Sequence, residues 1–95
     1  MKVNLNKQFK DFKGEELKGE SIAYSVAEAL FFYGKDKPVS NDDKFKAYCI
    51  SQKIIKSNGD IEITAEEACL IKEVCGEALT AGGYGQVYDI IENNK

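Results

Sequence analysis

Ten of the thirteen residues from Ser21 to Tyr33 are apolar, and the polar remainder is a single line of Ser21, Ser25 and Glu28. Spacings of four and three place those three on one edge of a helix, and continuing the line by four lands on Phe32. A helix apolar almost all round is either the centre of its domain or has a second face covered by something else. A chain of 95 residues builds one compact core, so every other element has to be arranged around this segment. Central packing puts Tyr24, Phe31 and Phe32 inside. The sharper expectation is that Phe32 is exposed and, with Tyr24, Phe31 and Tyr33, forms a surface that anchors a partner or a second copy.

The remaining elements follow from local signals. Val3 and Leu5, then Phe9, Phe12 and Leu17, alternate weakly around Lys13-Gly14, which suits a turn between short strands. Residues 1–20 therefore read as a β-hairpin, marginal by itself and packed on helices through Phe9 and Phe12. Ser21 caps the apolar helix and Gly34 closes it. Ser40, Asn41 and Asp42 offer the cap of a second helix to about Lys56, with an apolar stripe of Phe45, Tyr48, Cys49, Gln52 and Ile55 and with Ile54 beside it. Ser57-Asn58-Gly59 stops it, and Ile61-Glu62-Ile63 alternates as a short strand.

Thr64-Ala65-Glu66-Glu67 is a capping box and the strongest local signal in the chain. The helix it opens is expected to bury Ala68, Ile71, Val74, Cys75, Ala78 and Leu79, with Gly82 and Gly83 ending it. A last helix from about Tyr84 to Glu92 presents Tyr84, Val87, Tyr88 and Ile91, and residues 93–95 should fray. The expected fold is a single mostly helical α+β domain over residues 1–95. Its N-terminal hairpin packs on three to four short helices that occupy residues 21–92.

Charge is uneven along the chain. Residues 1–57 hold eleven Lys against eight acids, and residues 58–95 hold two against eight, which together give the net charge of −3. All thirteen basic residues are lysine, so no guanidinium fork is present for phosphate, carboxylate or guanine. A mixed solvated surface accounts for the pattern, and a polarised surface that orients a partner is the functional alternative. No stretch approaches the roughly 20 apolar residues of a membrane span, and the first residues lack the apolar core of a signal peptide. The expected location is the cytoplasm of a bacterial host cell, with virion association as the variant.

Candidate chemistry is sparse. Cys49, Cys69 and Cys75 have no CxxC spacing and read as three reduced core residues. With no His in the chain, zinc lacks a ligand set. Asn58-Gly59-Asp60-Ile61 has the glycine and isoleucine of a calcium loop. That register puts Ile54, Lys56 and Ala65 where oxygen ligands belong, so calcium is rejected. Gly82-Gly83-Tyr84-Gly85 matches neither glycine-rich phosphate motif. It reads as a helix end and turn, with a hinge for the last helix as the alternative. Asp42-Asp43 and Glu66-Glu67 fall in first turns, where they complement the helix dipole, and neighbours on a helix diverge too far to act as a carboxylate pair. No enzyme, cofactor or metal is expected. Lys7, Lys10, Lys13 and Lys18, interleaved with Phe9 and Phe12, suggest a nucleic-acid surface. The sequence pI of about 5.0 argues against it.

Two stretches, Leu5-Asn6-Lys7-Gln8-Phe9-Lys10-Asp11-Phe12-Lys13-Gly14-Glu15-Glu16-Leu17 and Ile61-Glu62-Ile63-Thr64-Ala65-Glu66-Glu67 with its helix, carry a resemblance. In order and spacing they resemble small uncharacterised proteins of bacteriophages and prophages of low-G+C bacteria. The resemblance is diffuse over most of the chain and brings no catalytic signature. It implies a gene product that works by binding: an assembly factor, a structural accessory or an inhibitor of a host protein. The expected partner is therefore a protein or a second copy, with nucleic acid second, and neither membrane nor metal.

Overall fold

The N-terminal strand is held by a partner strand that the sequence keeps almost sixty residues away. In the computed structural model, which describes residues 1–93, β1 (Lys2–Asn4) pairs antiparallel with β4 (Asp60–Glu62), Val3 facing Ile61. The Met1 ammonium donates to the Ile63 carbonyl at 2.9 Å and pairs with Glu62 at 2.9 Å, which holds the Glu62 carboxyl below the usual range. Val3, Leu5, Ile61 and Ile63 are buried by this pairing.

The N-terminal hairpin is thus shorter than residues 1–20. It consists of β2 (Gln8–Lys10) and β3 (Glu16–Ser21), joined by a turn in which Gly14 takes a φ of 91°. That left-handed conformation is one glycine adopts without a Cβ penalty. The Asp11 carboxylate accepts from the amides of Lys13 and Glu15 and fixes the turn. Phe9 packs against the core, but Phe12 sits at the tip and is 95% exposed, contrary to the expectation that both join hairpin to helices.

The helical layer follows the caps closely. Ser21 accepts from the Tyr24 amide and opens α1 (Ile22–Phe31), and Gly34, at φ 94°, ends the turn beyond it. Ser40 accepts from the Asp43 amide and opens α2 (Asn41–Lys56). Thr64 and Glu67 form the full capping box of α3 (Ala65–Ala78). Burial alone would raise the Glu67 carboxyl; the Thr64 amide and the Lys53 ammonium, 3.1 Å away, outweigh it and hold Glu67 low. The core is Ile22, Val26, Ala27 and Leu30 of α1 against Ala47, Ile50 and Ile54 of α2 and Ala68, Ile71, Val74 and Cys75 of α3.

Four sequence expectations are corrected here. The glycine pair does not end α3. Leu79 is already extended, and the Thr80 hydroxyl accepts from the Gly83 amide to open α4 (Ala81–Glu92), with Gly82, Gly83 and Gly85 inside it. Glycine costs a helix about 1 kcal/mol per residue relative to alanine. Burial of Val87 and Ile91, and of part of Tyr84, offsets that cost, and no hinge interrupts the helix. Ala78 is exposed, and Leu70 takes a core place instead. Only Cys75 among the cysteines is buried; Cys49 and Cys69 face solvent. The apolar stripe of α2 points outward, with Phe45 66% exposed and Tyr48 and Ile55 about half exposed. Of the fraying tail, Asn93 caps α4 and residues 94–95 lie outside the described residues.

Candidate functional site

The outward stripe of α2 meets the outward side of α1, and together they make one aromatic surface. Phe31 stands edge-on to Phe32 with ring centroids 5.3 Å apart. On its other side Phe31 lies 6.2 Å from Tyr48, which stacks on Phe45 at 6.3 Å. All four rings are about half exposed or more, and Phe32 is 57% exposed although α1 is otherwise the centre of the core. Tyr24, also exposed, lies two turns before Phe31 on the same side of α1. An aromatic side chain carries 150–250 Å² of surface, so the five rings and Ile55 expose on the order of 500 Å². Total exposed apolar surface of that size falls within the roughly 300–600 Å² of the largest patch on a typical monomer.

These rings are outside because the face of α2 turned to the core carries Ala47, Ile50, Ser51 and Ile54. Ser51 on that face is buried, and its hydroxyl is satisfied by donating to the Tyr48 carbonyl at 2.7 Å.

Of the four residues the sequence singles out on α1, the structure brings Tyr24, Phe31 and Phe32 to the surface and turns Tyr33 inward. Tyr33 packs against the core, and burial, reinforced by Glu73, raises its phenol above the ordinary value. With Phe32 it lines an open groove of about 670 Å³ between the end of α1, residues 34–37 and the end of α3. The Lys37–Glu77 ion pair sits at that groove, and its hydrogen bond raises the Lys37 ammonium. Phe45 and Tyr48 are the functional candidates that the sequence reading placed in the core. Their signal was present as a second stripe on α2, Ala47, Ile50 and Ile54, at spacings of three and four.

Lys7, Lys10, Lys13 and Lys18 are all exposed on or beside the hairpin, and Lys13 lies 5.7 Å over the Phe12 ring. Four acids, Asp11, Glu15, Glu16 and Glu20, share residues 7–20 with these four lysines, so the hairpin carries no net positive charge. Charge is also paired across the two halves of the chain. Lys37 meets Glu77, Lys46 meets Glu66 and Lys53 meets Glu67, so the lysine-rich half is partly neutralised by the acidic half within the molecule. Among the described residues no group of three metal-ligating side chains comes together, and no helix is long and apolar enough to cross a membrane.

Comparison of the chain with protein-family models, with curated proteins and with solved structures finds no match.

Proposed function

We propose that this protein is a non-enzymatic binding protein of the small phage or prophage type. It acts by protein–protein association, as an assembly or structural accessory or as an inhibitor of a host protein. The observation that carries the reading is the run of exposed rings Phe32, Phe31, Tyr48 and Phe45, continuous over two helices. Aromatics clustered at the centre of an apolar patch are the residue types that dominate binding energy at interfaces. The test is Phe32→Ser. It should abolish association, read as capture of a partner or as mass in sedimentation, while the melting temperature stays nearly intact. A large loss of stability with association unchanged would make Phe32 a core residue and remove the interface.

The second reading is a nucleic-acid accessory, favoured by the open Phe12 ring at the hairpin tip beside Lys13. A ring so placed can stack on a base, but phosphate contacts need a positive surface, and the four hairpin acids cancel the four lysines. Gel shift at two salt concentrations separates the readings, since phosphate binding must weaken steeply with salt.

A further inference from the structure

The outward residues of α2 are spaced as a coiled-coil seam. Asn41, Phe45, Tyr48, Gln52 and Ile55 follow one another at intervals of four, three, four and three, which is the a/d pattern of two heptads. Such a stripe is narrower than the face a helix normally turns to its own core, and α2 already has a separate core face. From this we infer that α2 packs antiparallel against α2 of a second copy, forming a twofold dimer. The inference deepens the proposed function, because it rests on the aromatic face being a protein-binding surface and names one occupant of it.

Charge identifies that occupant. Flanking the seam on its free side stand Asp42, Cys49 and Lys56, one heptad apart and all exposed. Asp42 and Lys56 are each seven residues from Cys49, and neither takes part in an ion pair among the described residues. An antiparallel twofold crossing at Cys49 therefore brings Asp42 beside Lys56 of the second copy, twice, and Cys49 beside its own equivalent. The same register sets Phe45 against Ile55 and Tyr48 against Gln52. Parallel pairing would set this flank against the opposite flank of the second copy, where Ser51 is buried, and would leave Asp42 and Lys56 without each other. The other flank of the seam is held by α1, whose Phe31 ring extends the apolar surface at Tyr48.

The area agrees with this occupant. Phe45, Tyr48 and Ile55 on the seam, with Phe31 beside Tyr48, offer on the order of 400 Å² of apolar surface per copy. With the seam's polar residues and flanking charges the contact lies at the smaller end of specific interfaces, towards the roughly 800 Å² each partner contributes to a standard one. Asn41 and Gln52 are polar residues at seam positions, and Gln52, within the seam, is placed to fix register and orientation at some cost in affinity.

Sedimentation of the purified full chain, alone and under reducing conditions, tests the inference with charge reversals. Asp42→Lys sets two Lys–Lys pairs across the axis, and Lys56→Asp sets two Asp–Asp pairs. Each variant should weaken self-association about tenfold or more, because like charges juxtaposed at an interface are repulsive. Mixing the two variants in equal amounts should restore a dimer, since both pairs become attractive. In a Cys69→Ser background a short bis-maleimide should also join Cys49 to Cys49. A chain that stays monomeric at high concentration overturns the dimer, as do two variants and a mixture that all sediment like the original. Either result leaves the capture experiment with Phe32→Ser standing, so failure of the dimer and failure of the wider binding role are separable.

Discussion

Gln86 pairs with the backbone of Lys10 as a neighbouring strand would. Its Oε1 accepts from the Lys10 amide at 2.8 Å, and its Nε2 donates to the Lys10 carbonyl at 3.0 Å. The two residues are 76 apart in sequence, and the bonds fasten the edge of β2 to α4. Exposed strand edges are templates for unwanted pairing, and a side-chain amide that occupies both groups blunts this one.

Gln86→Ala frees both backbone groups of Lys10 to water rather than burying them unpaired, so the cost is modest, about 1 kcal/mol. For a chain of this size that lowers the melting temperature by roughly 4–8 °C. The distinctive outcome is local. Amide exchange should accelerate in β2 and β3 while the core of α1 and α3 keeps its protection. Uniform acceleration would show that the hairpin and the helices unfold as one unit.

The capping box predicts a pH dependence as well as a mutational cost. Thr64→Ala removes the hydroxyl that accepts from the Glu67 amide at 3.0 Å and should cost on the order of 1 kcal/mol. Glu67 is held below the ordinary carboxylate range in the fold, so its contribution is present above that range and lost as pH falls through the folded value. Glu67→Gln should therefore flatten the decline of the melting temperature between about pH 5 and pH 3. An unchanged acid slope would mean that other carboxylates govern the transition.

Thiol chemistry should divide the cysteines two against one. Cys49 and Cys69 are exposed, whereas burial pushes the Cys75 thiol up to about 12. An aromatic disulfide reagent should label two thiols per native chain quickly and the third only after unfolding. Rapid labelling of all three would place Cys75 outside the core. Melting should not change with calcium, EDTA or reductant, and a calcium-dependent rise of several degrees would reverse the rejection of the 58–63 loop as a cation site.

The caps were the most legible part of this fold. Ser21, Ser40 and Thr64 each open a helix where the sequence says so, because a hydroxyl that accepts from an amide three residues on is a local interaction. Thr80 obeys the same rule and was hidden by the glycines that follow it. What the sequence could not reveal was partner choice. Val3 and Leu5 alternate as a strand would, but nothing local says that their partner is Ile61 rather than Phe9. The aromatic face was half legible: polar periodicity on α1 pointed outward at Phe32. On α2 two apolar stripes compete, and the core face is the one of Ala47, Ile50 and Ile54 rather than the one with the larger rings.

Ile54 and Ile55 put the orientation of α2 to the sharpest test. They are adjacent and identical in type, yet Ile54 is 3% exposed and Ile55 53%. Deleting the same three carbons from each leaves a cavity at one site and a smaller surface at the other. Ile54→Ala should cost about 2–5 kcal/mol, the range for emptying a packed aliphatic site. Ile55→Ala should fall within about 0.5 kcal/mol of the original, as surface changes do. Denaturant midpoints measured on dilute protein, where no second copy covers Ile55, compare the two directly. Equal losses, or the larger loss at Ile55, would mean that α2 is rotated, with Phe45 and Tyr48 in the core and no aromatic face to bind anything.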